Sequence, residues 1–159
     1  MKELITRLSQ QLMQNNERLV TAESCTGGAV ATALTELAGS SQWFERGFIT
    51  YSNESKQELL GVQSETLERH GAVSEETARE MAEGALCNSH AQLSLAVTGI
   101  AGPSGGTHEK PVGMVCFAWA QLGHPTQSAT QYFSGDRTAI REQAIRYVLD
   151  ELLKQLPAK

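Results

Sequence analysis

The sequence predicts an α/β protein: a single three-layer α/β/α domain over residues 1–159, built on a mixed, mainly parallel sheet of about five strands. Three observations predict it. Short apolar and β-branched runs alternate with helical patterns through the first two thirds of the chain, as parallel strands joined by helical crossovers do. Two further strand-like runs follow, separated by a short turn, which adds an antiparallel hairpin. The composition, 40% hydrophobic and 19% charged over 159 residues, suits one well-buried core.

Leu4, Ile5, Leu8 and Leu12 recur at helical spacing, so residues 2–15 form an amphipathic opening helix. Arg18 to Glu23 reads as the first strand. Thr26 to Leu37 is the Ala-rich helix after it, broken by Ala38-Gly39-Ser40-Ser41. Phe44 to Tyr51 is a second strand with aromatic and β-branched residues at its end. Asn53 to Leu60 is a short helix closed by Gly61, and Ser64 to Arg69 adds a turn or two. Ser74, followed by the acidic Glu75 and Glu76, caps a helix that runs to about Ser89. Gln92 to Thr98 is an apolar strand entering a glycine-rich loop. Val112 to Gln121 and Thr126 to Phe133 are the hairpin strands, joined at Leu122-Gly123-His124-Pro125. Asp136 to Leu156 closes the chain as a long helix, with Ile140, Ala144, Ile145, Val148, Leu149, Leu152 and Leu153 along one side.

Charge and composition exclude several classes of function. A net charge of −5 gives no basic footprint, so no nucleic-acid partner is expected. The apolar stretches fall well short of the roughly 20 residues that span a bilayer, and the polar opening helix is not a secretory leader. Cys25, Cys87 and Cys116 are odd in number and widely spaced, so no disulfide framework is expected. His70, His90, His108 and His124 lack the spacing of a zinc helix. The expectation is a reduced, cytoplasmic protein without membrane partner, metal or cofactor.

In a sheet of this kind ligands bind beyond the carboxyl ends of the strands. Three such ends carry unusual residues. Ser24 stands at a strand-to-helix turn, where unpaired N–H groups suit a nucleophile and its oxyanion. It also suits a plain helix cap. Tyr51 ends the second strand and Lys56 lies on the following helix, so both can lean into one crevice; Lys56 on a solvated face and Tyr51 as a rim aromatic are the plainer readings. Thr98 to Gly106 holds four glycines in nine residues, which lets backbone N–H groups approach a ligand.

These segments resemble a family. Thr21–Gly28 (TAESCTGG), Gly47–Lys56 (GFITYSNESK), Gly71–Ser74 (GAVS), Thr98–Gly106 (TGIAGPSGG), Lys110–Gly113 (KPVG) and Ser134–Arg137 (SGDR) are similar to the C-terminal domain of the CinA (competence/damage-inducible) family. The N-terminal molybdopterin-binding-like domain of its long members has no counterpart in this sequence, and its functions are not carried over. The stand-alone members include nicotinamide-nucleotide amidohydrolases. The resemblance implies that a small pyridine nucleotide, nicotinamide mononucleotide, loses its carboxamide nitrogen as ammonia. It also implies Ser24 as nucleophile, Lys56 as base and Tyr51 as assistant. No histidine lies in these segments, so a Ser-Lys pair is the available arrangement, and the lysine must be pushed toward neutrality to act.

The backbone of Cys25, Thr26, Gly27 and Gly28 is the expected oxyanion and substrate-binding turn. Thr98, Gly99, Gly102, Gly105 and Gly106, with Arg137 as a cation, are expected to bind the rest of the substrate. Arg46 and Lys110 are further cations, and Cys25 is an alternative nucleophile. An amphipathic first helix outside the alternation, with self-association common in the family, points to a homodimer. Hydrolysis of another small amide, and a catalytically silent nucleotide-binding module, are the competing readings.

Overall fold

Eleven elements follow one another in the computed structural model, which describes residues 1–157. They are α1 (Lys2–Asn15), β1 (Leu19–Glu23), α2 (Ala29–Thr35), β2 (Phe44–Ile49), α3 (Asn53–Leu60), α4 (Ser64–His70), α5 (Glu75–Cys87), β3 (Leu93–Gly99), β4 (Met114–Gln121), β5 (Gln127–Tyr132) and α6 (Arg137–Gln155). A single 3₁₀ turn, Ser40–Gln42, precedes β2. The sheet order is β2-β1-β3-β4-β5. β1 pairs in parallel with β2 and β3, whereas β4 is antiparallel to both β3 and β5. Only β4 therefore opposes the common direction, and the sheet is mixed but mainly parallel as expected.

Two cores flank the sheet and differ in grain. On one face Leu4, Leu8 and Leu12 of α1, Val30 and Leu34 of α2 and the apolar side of α6 bury Leu95, Val97, Phe117 and Trp119. On the other, Ala78, Ala82 and Ala85 of α5 meet Ala22, Ala96, Ala118 and Ala120. Small residues on both sides let α5 lie close to the strands. β1 lies between β2 and β3 with all five positions buried, which explains why its residues do not alternate between apolar and exposed polar. None of the described helices is long and apolar enough to cross a membrane.

Where boundaries differ from expectation, the cause is local. α2 starts at Ala29 rather than Thr26, because Gly27 (φ 58°) and Gly28 (φ 98°) adopt the left-handed conformation and hold the chain in a turn. β2 ends at Ile49, so Thr50 and Tyr51 form an exit from the strand. That exit leads into Ser52, whose hydroxyl caps α3 by accepting from Ser55 N at 3.1 Å. The Ser74 cap holds as expected, accepting from Thr77 N at 3.1 Å.

Candidate active site

The carboxyl ends of β1, β2 and β3 lie side by side in register, with Glu23 beside Ile49 and Val97. Ser24 follows β1 directly, and its N–H donates to the Val97 carbonyl at 2.9 Å, which pins the serine to β3. Lys56, one turn into α3, reaches under the β2 exit. Its Nζ donates to Ser24 Oγ at 3.0 Å and to the Thr50 carbonyl at 2.8 Å.

This lysine is 1% exposed, among the largest fully buried side chains, and has no carboxylate partner among the described residues. Burial pushes its ammonium below the ordinary lysine range, because desolvation penalises the charged form; the neighbouring Cys25 opposes the shift more weakly. An amine whose charged form is disfavoured by burial, within hydrogen-bonding distance of a serine hydroxyl, has the geometry that a base and a nucleophile require.

Ser24 does not cap α2. That end is covered by Glu23, whose buried carboxylate accepts from Val30 N at 2.8 Å, Ala31 N at 3.1 Å and Thr26 Oγ1 at 2.6 Å. The anion complements the helix N-terminus and leaves the serine hydroxyl to face Lys56 instead. Arg141 of α6 ties down the same turn from outside, donating through Nη2 to the Thr26 carbonyl at 2.9 Å. Within the turn, Gly27 N–H is spent on the Ser24 carbonyl at 3.0 Å. The N–H groups of Cys25 and Thr26 donate to no other described residue, which leaves two donors beside the serine. The Cys25 side chain belongs to the core on the α1–α6 face, and its burial pushes the thiol up to about 12.

A cavity of about 320 Å³ opens over the Ser24–Lys56 pair. Its walls include Cys25, Tyr51, Thr98, Gly99, Gly102, Gly105 and Arg137, all marked by the sequence, together with Ala72, Val73 and Ser104. The Thr98 hydroxyl donates to the Ala72 carbonyl at 2.8 Å, so it fixes the opposite wall. Thr26, Gly27, Gly28 and Gly106 are grouped with the site by the sequence but do not line the cavity. Gly28 packs on the Ile49 side chain and Gly106 on Val112, where a Cβ would approach within 2.9 and 2.7 Å. Their role is close packing. Arg46 pairs with Glu45 at 2.7 Å, Lys110 bonds the His70 carbonyl, and neither lines the cavity. The Thr50 carbonyl and Arg141 belong to the site without having been read from the sequence. A backbone acceptor leaves no mark there, whereas the i, i+4 spacing of Arg137 and Arg141 is a signal that both share a helix face.

Known proteins share this sequence and this fold. A sequence model of the CinA C-terminal domain matches residues 1–156. The nicotinamide-nucleotide amidohydrolase PncC of Escherichia coli (strain K12) is 50% identical over 153 residues, covering 96% of this chain and 93% of the relative. The PncC of Pseudomonas putida is 46% identical over 151 residues, covering 95% and 94%. Among solved structures, the competence/damage inducible protein CihA from Agrobacterium tumefaciens superposes with a TM-score of 0.92 at 47% identity, covering 96% of this chain and 94% of that one.

Proposed function

The chain belongs to the CinA C-terminal domain family, and from that premise we propose that it is a nicotinamide-nucleotide amidohydrolase using Ser24 as nucleophile and Lys56 as base. Its substrate is nicotinamide mononucleotide, which it hydrolyses to nicotinate mononucleotide and ammonia. The observation that carries this reading is the buried Lys56 amine 3.0 Å from Ser24 Oγ, without a carboxylate to hold it charged.

The neutral amine takes the Ser24 proton as Oγ attacks the carboxamide carbon. The Cys25 and Thr26 N–H groups receive the oxyanion, and losing one such donor typically costs about 10²–10³ in rate. The Lys56 ammonium then returns its proton to the carboxamide nitrogen, the C–N bond breaks and ammonia leaves. Lys56, neutral again, takes a proton from water. The resulting hydroxide adds to the nicotinyl ester carbon, the bond to Oγ breaks as Lys56 hands its proton back to Ser24, and the product leaves as a carboxylate with its acid proton passing to solvent. The Thr50 carbonyl holds the amine in line through both halves of the cycle. Tyr51, at the cavity rim, assists. The three free cysteines support a reducing, cytoplasmic setting.

The test is ammonia release from nicotinamide mononucleotide by the purified protein and by Ser24→Ala and Lys56→Ala. Each substitution is expected to abolish turnover. Persistent activity in Ser24→Ala would eliminate serine as nucleophile. Calorimetric binding of the nucleotide by the unaltered chain, with no product formed, would leave a binding protein in place of a hydrolase.

A further inference from the structure

The cavity rim carries one cation whose charge is not neutralised. Arg137, the first residue of α6, donates through Nη1 to the Gly102 carbonyl at 2.8 Å and through Nη2 to the Tyr51 hydroxyl at 3.1 Å. Both acceptors are neutral, and Arg137 has no carboxylate partner among the described residues. The adjacent Asp136 turns its carboxylate to Ala139 N at 2.9 Å, as the α6 cap. Tyr51 is 61% exposed, and its hydroxyl bonds to neither Ser24 nor Lys56, although all four side chains line the same cavity. The Tyr51 hydroxyl is thus engaged by Arg137 and not by the reacting pair.

Resting on the amidohydrolase reading, we infer that Arg137 recognises the phosphate of the substrate and, on taking it, gives up the Tyr51 hydroxyl to the Ser24–Lys56 pair, so that the phosphate governs turnover as well as binding. A dianionic phosphate offers the guanidinium charge-assisted, paired hydrogen bonds that a neutral phenol cannot match. The Gly102 contact keeps the guanidinium at the rim while its other nitrogen changes partner. Tyr51 sits between Thr50, whose carbonyl holds Lys56, and the Ser52 cap, so its backbone is placed between two anchored neighbours while its ring stands largely exposed. The released hydroxyl supplies a hydrogen-bond donor for the carboxamide nitrogen that must leave. Remote binding energy is thereby expressed at the reacting centre.

Nicotinamide riboside, which keeps the cationic ring and the ribose but lacks the phosphate, is the probe. Its kcat is expected to fall below that of the mononucleotide by roughly ten- to a hundredfold, the range for a hydrogen-bonded charged pair. Added inorganic phosphate should raise riboside turnover. In Arg137→Ala the mononucleotide-to-riboside ratio of kcat should collapse toward one, with the activation by phosphate gone; Arg137→Lys should fall between. Thermal melts establish that each variant is folded. Equal kcat for the two substrates in the unaltered protein, with a difference in KM alone, would overturn the inference. So would a ratio that survives in Arg137→Ala. Absence of mononucleotide turnover would instead remove the amidohydrolase reading. In that event calorimetry with the same two ligands still decides Arg137: a preference for the phosphorylated ligand that Arg137→Ala retains overturns its role.

Discussion

Glu23 and Ser24 are adjacent in sequence and serve opposite sides of β1. The carboxylate closes the N-terminus of α2 through Val30 N, Ala31 N and Thr26 Oγ1, while the hydroxyl meets the amine of Lys56. Successive residues of an extended chain point to opposite faces, so one strand end both anchors a helix and presents a nucleophile. Glu23→Ala leaves three buried or partly buried donors without their acceptor. Its expected cost is about 2–4 kcal/mol of stability, since an unsatisfied buried donor costs about 1–3 kcal/mol and the turn relaxes in part. The same change lets the Cys25–Thr26 N–H groups drift, so kcat should fall more than KM rises. Urea denaturation alongside steady-state kinetics checks both; an unaltered kcat would remove Glu23 from any part in positioning the turn.

Activity should rise with pH through the depressed Lys56 range, because the amine works as a base only when neutral. Stability carries the same sign. The unfolded chain binds a proton at Lys56 up to the ordinary lysine value of about 10.4, while the folded chain releases it earlier. Across that window the unfolded state holds more protons, so stability increases with pH. Lys56→Met, which keeps the volume and removes the buried charge, should be inactive yet more stable near neutrality by about 1 kcal/mol. The advantage should shrink toward pH 10. Melting curves of both proteins over that pH range measure it, and a gap that is constant or widens with pH contradicts the assignment.

Most of the fold is legible because periodicity is a long-range property of each segment: α1, α3 and the strand order of the hairpin follow from spacing alone. The start of α2 is not, since two glycines in the left-handed conformation delay it to Ala29. The direction of the Ser24 hydroxyl is equally hidden, because it depends on Glu23 claiming the helix end first. Lys56 lies in a polar stretch, and only its spacing of four from Leu60, the other buried residue of α3, hints that it points inward. Thr26, Gly27, Gly28 and Gly106 share the motifs of the site yet do not line its cavity, and Gly28 and Gly106 serve close packing, because a motif marks a stretch of chain and not the direction of each residue.

The Cys25 side chain adjoins the nucleophile but is not available as one. Its thiol is buried in the core and pushed up to about 12 by desolvation, so almost no thiolate exists at neutral pH. Cys25→Ala should keep kcat within a few-fold while losing about 1 kcal/mol of stability from the lost packing. Under native conditions an alkylating reagent should label the exposed Cys87 and spare Cys25 and Cys116, as peptide mass analysis will show. Rapid modification of Cys25 together with loss of activity is the contrary result.

Gly84 links a position far from the chemistry to the placement of Lys56. It lies on α5 where that helix crosses the end of α3, and a Cβ there would stand 1.9 Å from the Leu60 carbonyl oxygen. The obstacle is backbone, so no side-chain rotation relieves it. α3 carries Lys56 one turn before Leu60, and any outward shift of α3 pulls the amine away from Ser24 Oγ. Gly84→Ala should therefore cost about 3 kcal/mol, the upper range for forcing an atom into a packed interior. It should also lower kcat in the fraction that stays folded. Glu83→Ala, at the exposed residue just before it, is the control: it should change stability by less than about 0.5 kcal/mol and leave kcat as it is. Folded, fully active Gly84→Ala protein would mean that α3 tolerates displacement and that Lys56 is held by the Thr50 carbonyl alone.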